Sequence, residues 1–298
     1  MSSSTDQQPL CCRTAPLRRR YFAPELVVRG RTFAWGARTY VMAVVNVTPD
    51  SFSGDGTGGD PALAVERARA FEAAGADIID IGAESTRPDA RPLAPDEEMR
   101  RLLPSLEAVR AACSLPISVD TYHAQTARAA LRAGADLVND VWGLRADPDM
   151  AAVVAEFGVP LVAMHNQRGR QTTDVISDIR TGFAESLAIA DRYGIGRDRI
   201  ILDPGFGFGW QPEENLAIVR RLPELWGFEL PLLLGPSRKS TIGLVLDAPV
   251  HERLEGTAAV VALAIAGGVD IVRVHDVAEM RKVARMSDAI VRANWAPA

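Results

Sequence analysis

Eight short apolar, β-branched runs recur along the chain, and most are followed by an amphipathic helical stretch. The runs fall at 40–47, 76–81, 115–119, 136–139, 160–164, 199–202, 230–234 and 270–274. Strands that alternate with helices pair in parallel, because each crossover helix must pack back on the sheet it left. Eight such units point to a sheet closed on itself, a single-domain (β/α)8 TIM barrel in the α/β class, and about 250 residues is the usual size of that fold. The 298 residues need no second domain.

Helices are expected at 61–74, 96–112, 124–133, 150–157, 178–193, 212–221, 253–266 and 278–293. Their apolar residues recur three and four apart, as in Ala64, Ala68 and Phe71 or Leu102, Leu106 and Val109, which gives each helix one face for the sheet. Gly75, Gly134, Gly158 and Gly268 stand just before the next strand, where a left-handed helix stop is required. Ahead of the first barrel strand, residues 26–34 are apolar around an Arg29-Gly30-Arg31 turn, which predicts a short β-hairpin across the barrel floor. Residues 1–24 are expected to be a flexible extension and 25–298 the barrel domain.

With 47% hydrophobic and 24% charged residues, the chain can bury a large core. A net charge of −5 gives no overall attraction to nucleic acid or an acidic membrane, so any anion must be held locally. No apolar run reaches the length of a membrane span, and none follows the Arg18-Arg19-Arg20 triplet as a signal peptide requires. That triplet is expected to be a frayed, solvated terminus. Cys11, Cys12 and Cys113 form neither a CxxC pair nor an even disulfide framework, which fits the cytoplasm.

In this fold, function gathers at the carboxyl ends of the strands. There the sequence places Asn46 to Ser53, Glu84 to Arg87, Ser118 to Thr121, Asn139-Asp140, Met164 to Gln167, Asp203 to Gly209, Gly235 to Ser240 and Arg273 to Asp276. Asp120, Asn139 and Asp203, from three different strands, suit the edge of a flat nitrogen heterocycle such as an aminopterin. Arg87, Arg273, His275 and the amides near Ser237 suit a phosphate or diphosphate. Asn46 and Asp50 offer the oxygen ligands that Mg2+ takes alongside substrate phosphates.

Six segments in order, Asn46-Val-Thr-Pro-Asp-Ser-Phe-Ser, Gly82-Ala-Glu-Ser-Thr-Arg-Pro, Ser118-Val-Asp-Thr, Asp203-Pro-Gly-Phe-Gly-Phe-Gly, Ser237-Arg-Lys-Ser and Arg273-Val-His-Asp-Val, resemble the dihydropteroate synthases, a family of pterin-binding enzymes. The resemblance runs from about Val41 to Val277. It implies a transferase of folate biosynthesis that joins a dihydropterin diphosphate to p-aminobenzoate, releasing diphosphate to give 7,8-dihydropteroate. By the same resemblance, Asp120, Asn139, Met164, Asp203 and Lys239 correspond to the pterin site. Asn46, Thr86, Arg87, Arg273 and His275 correspond to the diphosphate site, with Asn46 also the Mg2+ ligand. Phe208 and Ser240 border p-aminobenzoate, and Asp50, Thr86, Arg87 and Lys239 take part in catalysis. Loops at 48–56 and 85–90 would close over the substrates, and a homodimer formed through late barrel helices is implied.

The chain departs from the family pattern at Trp210, Ala83 and Asp89 and in the run from Asn166 to Arg170. Local roles compete at several positions: a strand-end Asp is often a turn former or cap, and the glycines at 205, 207 and 209 also fit a plain flexible turn. His165 reads as a satisfied rim histidine, Asp276 as a cap or ion-pair partner, Glu84 as a loop-ordering group and Trp210 as a cover for the rim. Two rival functions remain at this level. A pterin-binding methyltransferase would keep Asp120, Asn139 and Asp203 but would not need Arg273 and His275, and a catalytically silent pterin-binding paralogue would not need Lys239.

Overall fold

The computed structural model describes residues 19–48, 56–84 and 93–295. A two-stranded antiparallel hairpin, β1 (Glu25–Val28) and β2 (Arg31–Ala34), comes first. The barrel follows as β3 (Tyr40–Asn46), α1 (Pro61–Ala73), β4 (Ile78–Gly82), α2 (Pro95–Ala112), β5 (Ile117–Asp120), α3 (Ala124–Arg132), β6 (Leu137–Asp140), α4 (Met150–Phe157) and β7 (Leu161–Met164). Its second part is α5 (Val175–Arg192), β8 (Ile200–Asp203), α6 (Pro212–Arg221), β9 (Leu233–Leu234), α7 (Ser240–Leu246), α8 (Leu254–Ala266), β10 (Ile271–Val274) and α9 (Val277–Val291). All eight barrel strands are parallel, in the order β8-β7-β6-β5-β4-β3-β10-β9. A parallel bridge from Leu202 to Leu232, with Leu202 N–H donating to Pro231 O at 2.9 Å, joins the two ends.

The two-residue alternation of a strand sorts the side chains into two cores. Val41, Ala43, Val45, Ile79, Ile81, Val119, Val138, Leu161, Ala163 and Val272 point outward and pack with the helices. Met42, Ile78, Leu137, Val162, Ile201, Leu233 and Ile271 point inward and fill the barrel axis. The hairpin supplies Leu26, Val28, Phe33 and Trp35 to that same inner cluster, with the Phe33 ring centroid 4.8 Å from Tyr40. It therefore plugs the amino-terminal end of the barrel, as the Arg29-Gly30-Arg31 turn predicts.

Local signals set the helix ends. Asp60 caps α1, accepting from Ala62 N–H at 2.8 Å ahead of Pro61, and Asp174 caps α5 through Ser177 N–H at 3.0 Å. Gly158 closes α4 in the left-handed conformation at φ 62°. Two elements differ from the sequence reading. The seventh barrel strand shrinks to Leu233–Leu234, because the chain at 230–232 bends to meet β8 and close the barrel. The short helix α7 begins inside the Ser237-Arg-Lys-Ser segment and is too brief for periodicity to reveal.

The Arg triplet is not uniformly solvated. Arg18 lies outside the described residues and Arg20 is exposed, but the Arg19 side chain is buried, paired with Asp270 at 3.1 Å and donating to Leu230 O at 2.6 Å. Asp270, just before β10, also accepts from Tyr21 Oη at 2.7 Å and from Leu232 N–H at 3.0 Å, so this ion pair ties the chain before the hairpin to the closing strands. No helix among the described residues is long and apolar enough to cross a membrane.

The plug makes a prediction. Phe33→Ala empties a 3%-exposed site against Tyr40 and Trp35 and should lower unfolding stability by about 3–5 kcal/mol in a denaturant titration. A loss below about 1 kcal/mol would show that the hairpin does not share the barrel core.

Candidate functional site

One residue pair above the apolar inner layer, the same inward register turns polar. Asp80 on β4, Asp120 at the end of β5, Asn139 on β6, Asp203 at the end of β8 and Arg273 on β10 continue the alternation that carries Ile78, Leu137, Ile201 and Ile271. Burying this many polar groups requires that they satisfy one another. Arg273 Nε donates to Asp80 Oδ2 at 2.6 Å, and its Nη2 donates to Asp120 Oδ2 at 2.6 Å. Asn139 Nδ2 donates to the same Asp80 oxygen at 3.1 Å.

The sequence reading missed Asp80. It is fully buried in the middle of the apolar run Ile-Ile-Asp-Ile-Gly, and its signal was parity with Gly82 and the neighbouring inward positions. Gly82 has its own reason here: a Cβ at that position would come 3.2 Å from Asp120 Cβ.

Electrostatics follow from burial. Burial pushes Asp120 upward, the Arg273 guanidinium pulls it back, and Asp80, Glu98 and Glu84 add to the rise. A carboxyl 2.6 Å from a guanidinium is favoured as the anion, but at Asp120 the cost of burial outweighs that pull and the net direction is upward. Burial pulls Arg273 down, but Asp80 and Asp120 more than offset it and hold the guanidinium charged. Asp203 is raised by burial and held back by the Gly205 N–H, 2.7 Å from Oδ1, and by Lys239. Lys239 is lowered by burial, with Asp203 opposing the fall.

Lys239 is steered by its surroundings. Its Nζ donates to Phe206 O at 2.8 Å and sits 3.9 Å from the Phe208 ring centroid, with the Arg168 guanidinium 5.1 Å from the same ring. Gly207, at φ +82°, is required for this arrangement, since a Cβ there would fall 2.6 Å from Lys239 Cδ. At Gly205, φ +75°, a Cβ would lie 1.9 Å from His165 O. The glycine run is thus a close-packed turn under the lysine. Before Lys239, Arg238 holds a left-handed φ of 55°, over-determined by the Asp276 carboxylate, by its N–H to Thr257 Oγ1 at 3.1 Å and by its carbonyl accepting from Arg253 at 3.0 Å.

Other expected residues fall in place around this mouth. Met164 is buried in a small cluster with Val141 and Phe208. The His275 ring contacts Ser237 Oγ through Nδ1 at 2.9 Å, and the His275 backbone N–H donates to the same oxygen at 3.2 Å. Asn46 is half-buried at the end of β3, in register with Gly82. Ser240 is exposed at the first residue of α7, one residue beyond Lys239. Asp50, Thr86 and Arg87 lie outside the described residues, as do most of the two loops expected to close the site.

The local readings also resolve. His165 is fully buried with Nε2 2.9 Å from Gln167 Oε1, but its buried Nδ1 has no hydrogen-bond partner among the described residues, so the ring is only half satisfied; burial pushes it down to about 4, so it is neutral at pH 7. Trp210 is buried with its ring 5.6 Å from that of His165, a rim cover. Asp276 is the ion-pair partner of Arg238.

The sequence matches the family model described as pterin binding enzyme over residues 42–275. The chain belongs to this family. It is 45% identical over 280 residues to the dihydropteroate synthase of Synechocystis, covering 91% of this chain and 97% of that protein. The dihydropteroate synthase of Bacillus subtilis is 47% identical over 254 residues, covering 85% of this chain and 89% of its relative. Among solved structures, the Clostridium difficile dihydropteroate synthase described in the presence of pteroic acid superposes with a TM-score of 0.82 at 47% identity, covering 87% of this chain and 98% of that one. The Xanthomonas albilineans enzyme with 4-aminobenzoic acid superposes with a TM-score of 0.83 at 38% identity, covering 90% and 98%.

The opposed directions at Asp203 and Lys239 set a pH window. Below the raised Asp203 pKa the carboxyl is neutral, and above the depressed Lys239 pKa the amine is neutral. Ligand binding at this mouth should follow a bell narrower than ordinary Asp and Lys values, about 3.9 and 10.4, would give. Asp203→Asn should shift the acid limb, leaving it to Asp120, whose pKa is also raised, and Lys239→Gln should remove the alkaline limb. A flat profile from about pH 5 to 9 would refute the assignment of these two groups.

Proposed function

We infer that the chain catalyses the dihydropteroate synthase reaction, joining a (7,8-dihydropterin-6-yl)methyl diphosphate to p-aminobenzoate. The observation that carries this is the set of acceptor oxygens left at the barrel mouth. Asp203 Oδ1 is occupied by Gly205 N–H, Asp120 Oδ2 by Arg273, and the Asn139 amide nitrogen by Asp80. Among the described residues no hydrogen bond engages Asp203 Oδ2, Asp120 Oδ1 or Asn139 Oδ1. Three acceptors on one rim match the N–H-rich edge of a 2-amino-4-oxo pyrimidine ring. Lys239, with one N–H spent on Phe206 O, keeps donors for a ring nitrogen or carbonyl, and Met164 lines the slot.

Binding the flat ring deep in the mouth leaves its methylene and diphosphate facing the outer rim. There His275 and the guanidinium donors of Arg273 that Asp80 and Asp120 do not use would hold the diphosphate, joined by Thr86 and Arg87. Mg2+ fits Asn46, which offers a neutral hard oxygen of the kind this ion accepts beside substrate phosphates, and when bound it would neutralise charge on the leaving group. The electron-rich dihydropterin stabilises cationic character at the methylene as the C–O bond to diphosphate lengthens, and the p-aminobenzoate nitrogen then attacks. By the family resemblance Asp50 would add negative charge to help the cationic methylene and Phe208 and Ser240 would border the arylamine, and no strong base is required because the amine attacks unionised. Stabilising the departing diphosphate is the dominant contribution.

The assay is diphosphate release with Mg2+, dihydropterin diphosphate and p-aminobenzoate, each omitted in turn. Product should require both organic substrates, and Asp203→Ala should lower kcat/KM on the order of 100-fold, the worth of a hydrogen bond to a charged group. Pterin binding without turnover would identify a silent paralogue, and absence of pterin binding would sink the reading.

A homodimer and a cytoplasmic setting complete the proposal. Leu244, Val245 and Leu246 on α7, Leu263 on α8 and Met286 and Ile290 on α9 are exposed, and these helices pack in sequence, α7 on α8 and α8 on α9. An apolar surface of this kind favours self-association. Leu263→Asp combined with Ile290→Asp should halve the mass measured by light scattering, and an unchanged mass would place the contact elsewhere. The buried free thiol of Cys113 suits a reducing compartment.

A further inference from the structure

Outside the barrel mouth, three segments bring metal-binding side chains together. Glu84 follows β4, Glu98 lies in the first turn of α2, and His123 directly precedes α3. One ligand atom from each lies within 4.8 Å of the others. Glu98 is fully buried, with Oε2 accepting from Thr126 Oγ1 at 2.7 Å and lying 2.8 Å from His123 Nδ1. Its Oε1 is buried and has no hydrogen-bond partner among the described residues. Glu84 is similar: the Tyr122 hydroxyl donates to Oε1 at 2.7 Å, and Oε2 is buried without a hydrogen bond of full geometry among the described residues, the Leu93 backbone N–H giving the carboxylate weaker support.

Two neighbouring carboxylates, each with a desolvated and unpaired oxygen, are costly unless a positive charge compensates them. Among the described residues no lysine or arginine pairs with either acid, and His123 is the one basic group in contact. We propose that Glu84, Glu98 and His123 form a binding site for a divalent transition ion of the Zn2+ class, on the outer rim between the β4–α2 and β5–α3 connections. Two carboxylates and one imidazole are ligands that such an ion accepts, whereas Mg2+ prefers oxygen alone. Tyr122 and Thr126 hold the carboxylates by their second hydrogen bonds, the supporting contacts that metal ligands ordinarily have. Coordination through Nδ1 needs that nitrogen's lone pair, so the proton it shares with Glu98 Oε2 moves off it, a neutral ring keeping its proton on Nε2 and an imidazolium giving one to solvent. Ligands at about 2.0 Å on a tetrahedral ion stand about 3.3 Å apart; here one pair stands at 2.8 Å and all three ligand atoms lie within 4.8 Å of one another, so side-chain shifts of about 1 Å bring them onto one ion. The ion would tie the end of β4 and the starts of α2 and α3 together.

The test uses the full chain, stripped by chelator and kept free of diphosphate and pterin. Zn2+ is titrated by equilibrium dialysis with metal analysis, alongside thermal unfolding. One saturable ion per chain is expected, with a rise in Tm as the ion binds the folded state. His123→Asn and Glu98→Gln should each weaken binding by on the order of tenfold or more and abolish the Tm rise, while Asn46→Ala should bind as the native chain does. His123 stands at a helix start, partly exposed, so His123→Asn decides the question even if Glu98→Gln disturbs folding. Saturable binding that survives His123→Asn, loss of binding in Asn46→Ala, or no saturable binding by the native chain would each overturn the proposal.

Discussion

The mouth of this barrel depends on one guanidinium. Arg273, rising from β10, binds Asp80 on β4 and Asp120 on β5, and through Asp80 it reaches Asn139 on β6. Two acids buried side by side in a barrel would repel, so a shared cation is what lets both stay on adjacent strands. The same sharing leaves one oxygen of Asp120 and one of Asn139 unspent. A network fully satisfied internally would offer nothing to a ligand, and one without Arg273 would not hold its shape.

Below that network the barrel axis is mostly apolar, the buried Ser118 hydroxyl beside Leu137 being an exception. The inward residues one layer down are Met42, Leu137, Val162, Ile201 and Leu233, and beneath them the hairpin contributes Leu26, Phe33 and Trp35. The dry floor makes the polar layer expensive to hydrate from below, and so strengthens each electrostatic contact within it. The rim follows the same logic. Lys239 is placed by a glycine turn that leaves room for its stem and by a strained Arg238 that Asp276, Thr257 and Arg253 hold in place. Geometry that costs energy at the residue before Lys239 is maintained by contacts from β10 and α8.

Much of this was legible beforehand, and the misses have physical causes. Period-two and period-3.6 patterns marked the barrel strands and their covering helices, and glycine stops marked several helix ends, because these signals are local. Asp120, Asn139, Asp203, Arg273 and His275 stood out as polar residues where an apolar run stops, Lys239 through the family resemblance, and the structure brings them to one rim. Asp80 escaped because it stands inside such a run and gains meaning only from partners 59 and 193 residues away. The shortened β9 escaped because closing a barrel bends the strand that meets the other edge. Arg19 looked like part of a solvated triplet, and only the fold supplies its partner Asp270, 251 residues on.

By itself the sequence determined the fold class, the number of barrel strands and which residues would stand at the carboxyl ends of strands, since each follows from spacing along the chain. Which of those residues share a charge, which oxygens stay free for a ligand, and the meeting of Glu84, Glu98 and His123 were decided by the tertiary structure alone. Hydrogen bonds and ion pairs act over a few ångströms, and barrel closure is what brings residues scores of positions apart within that reach.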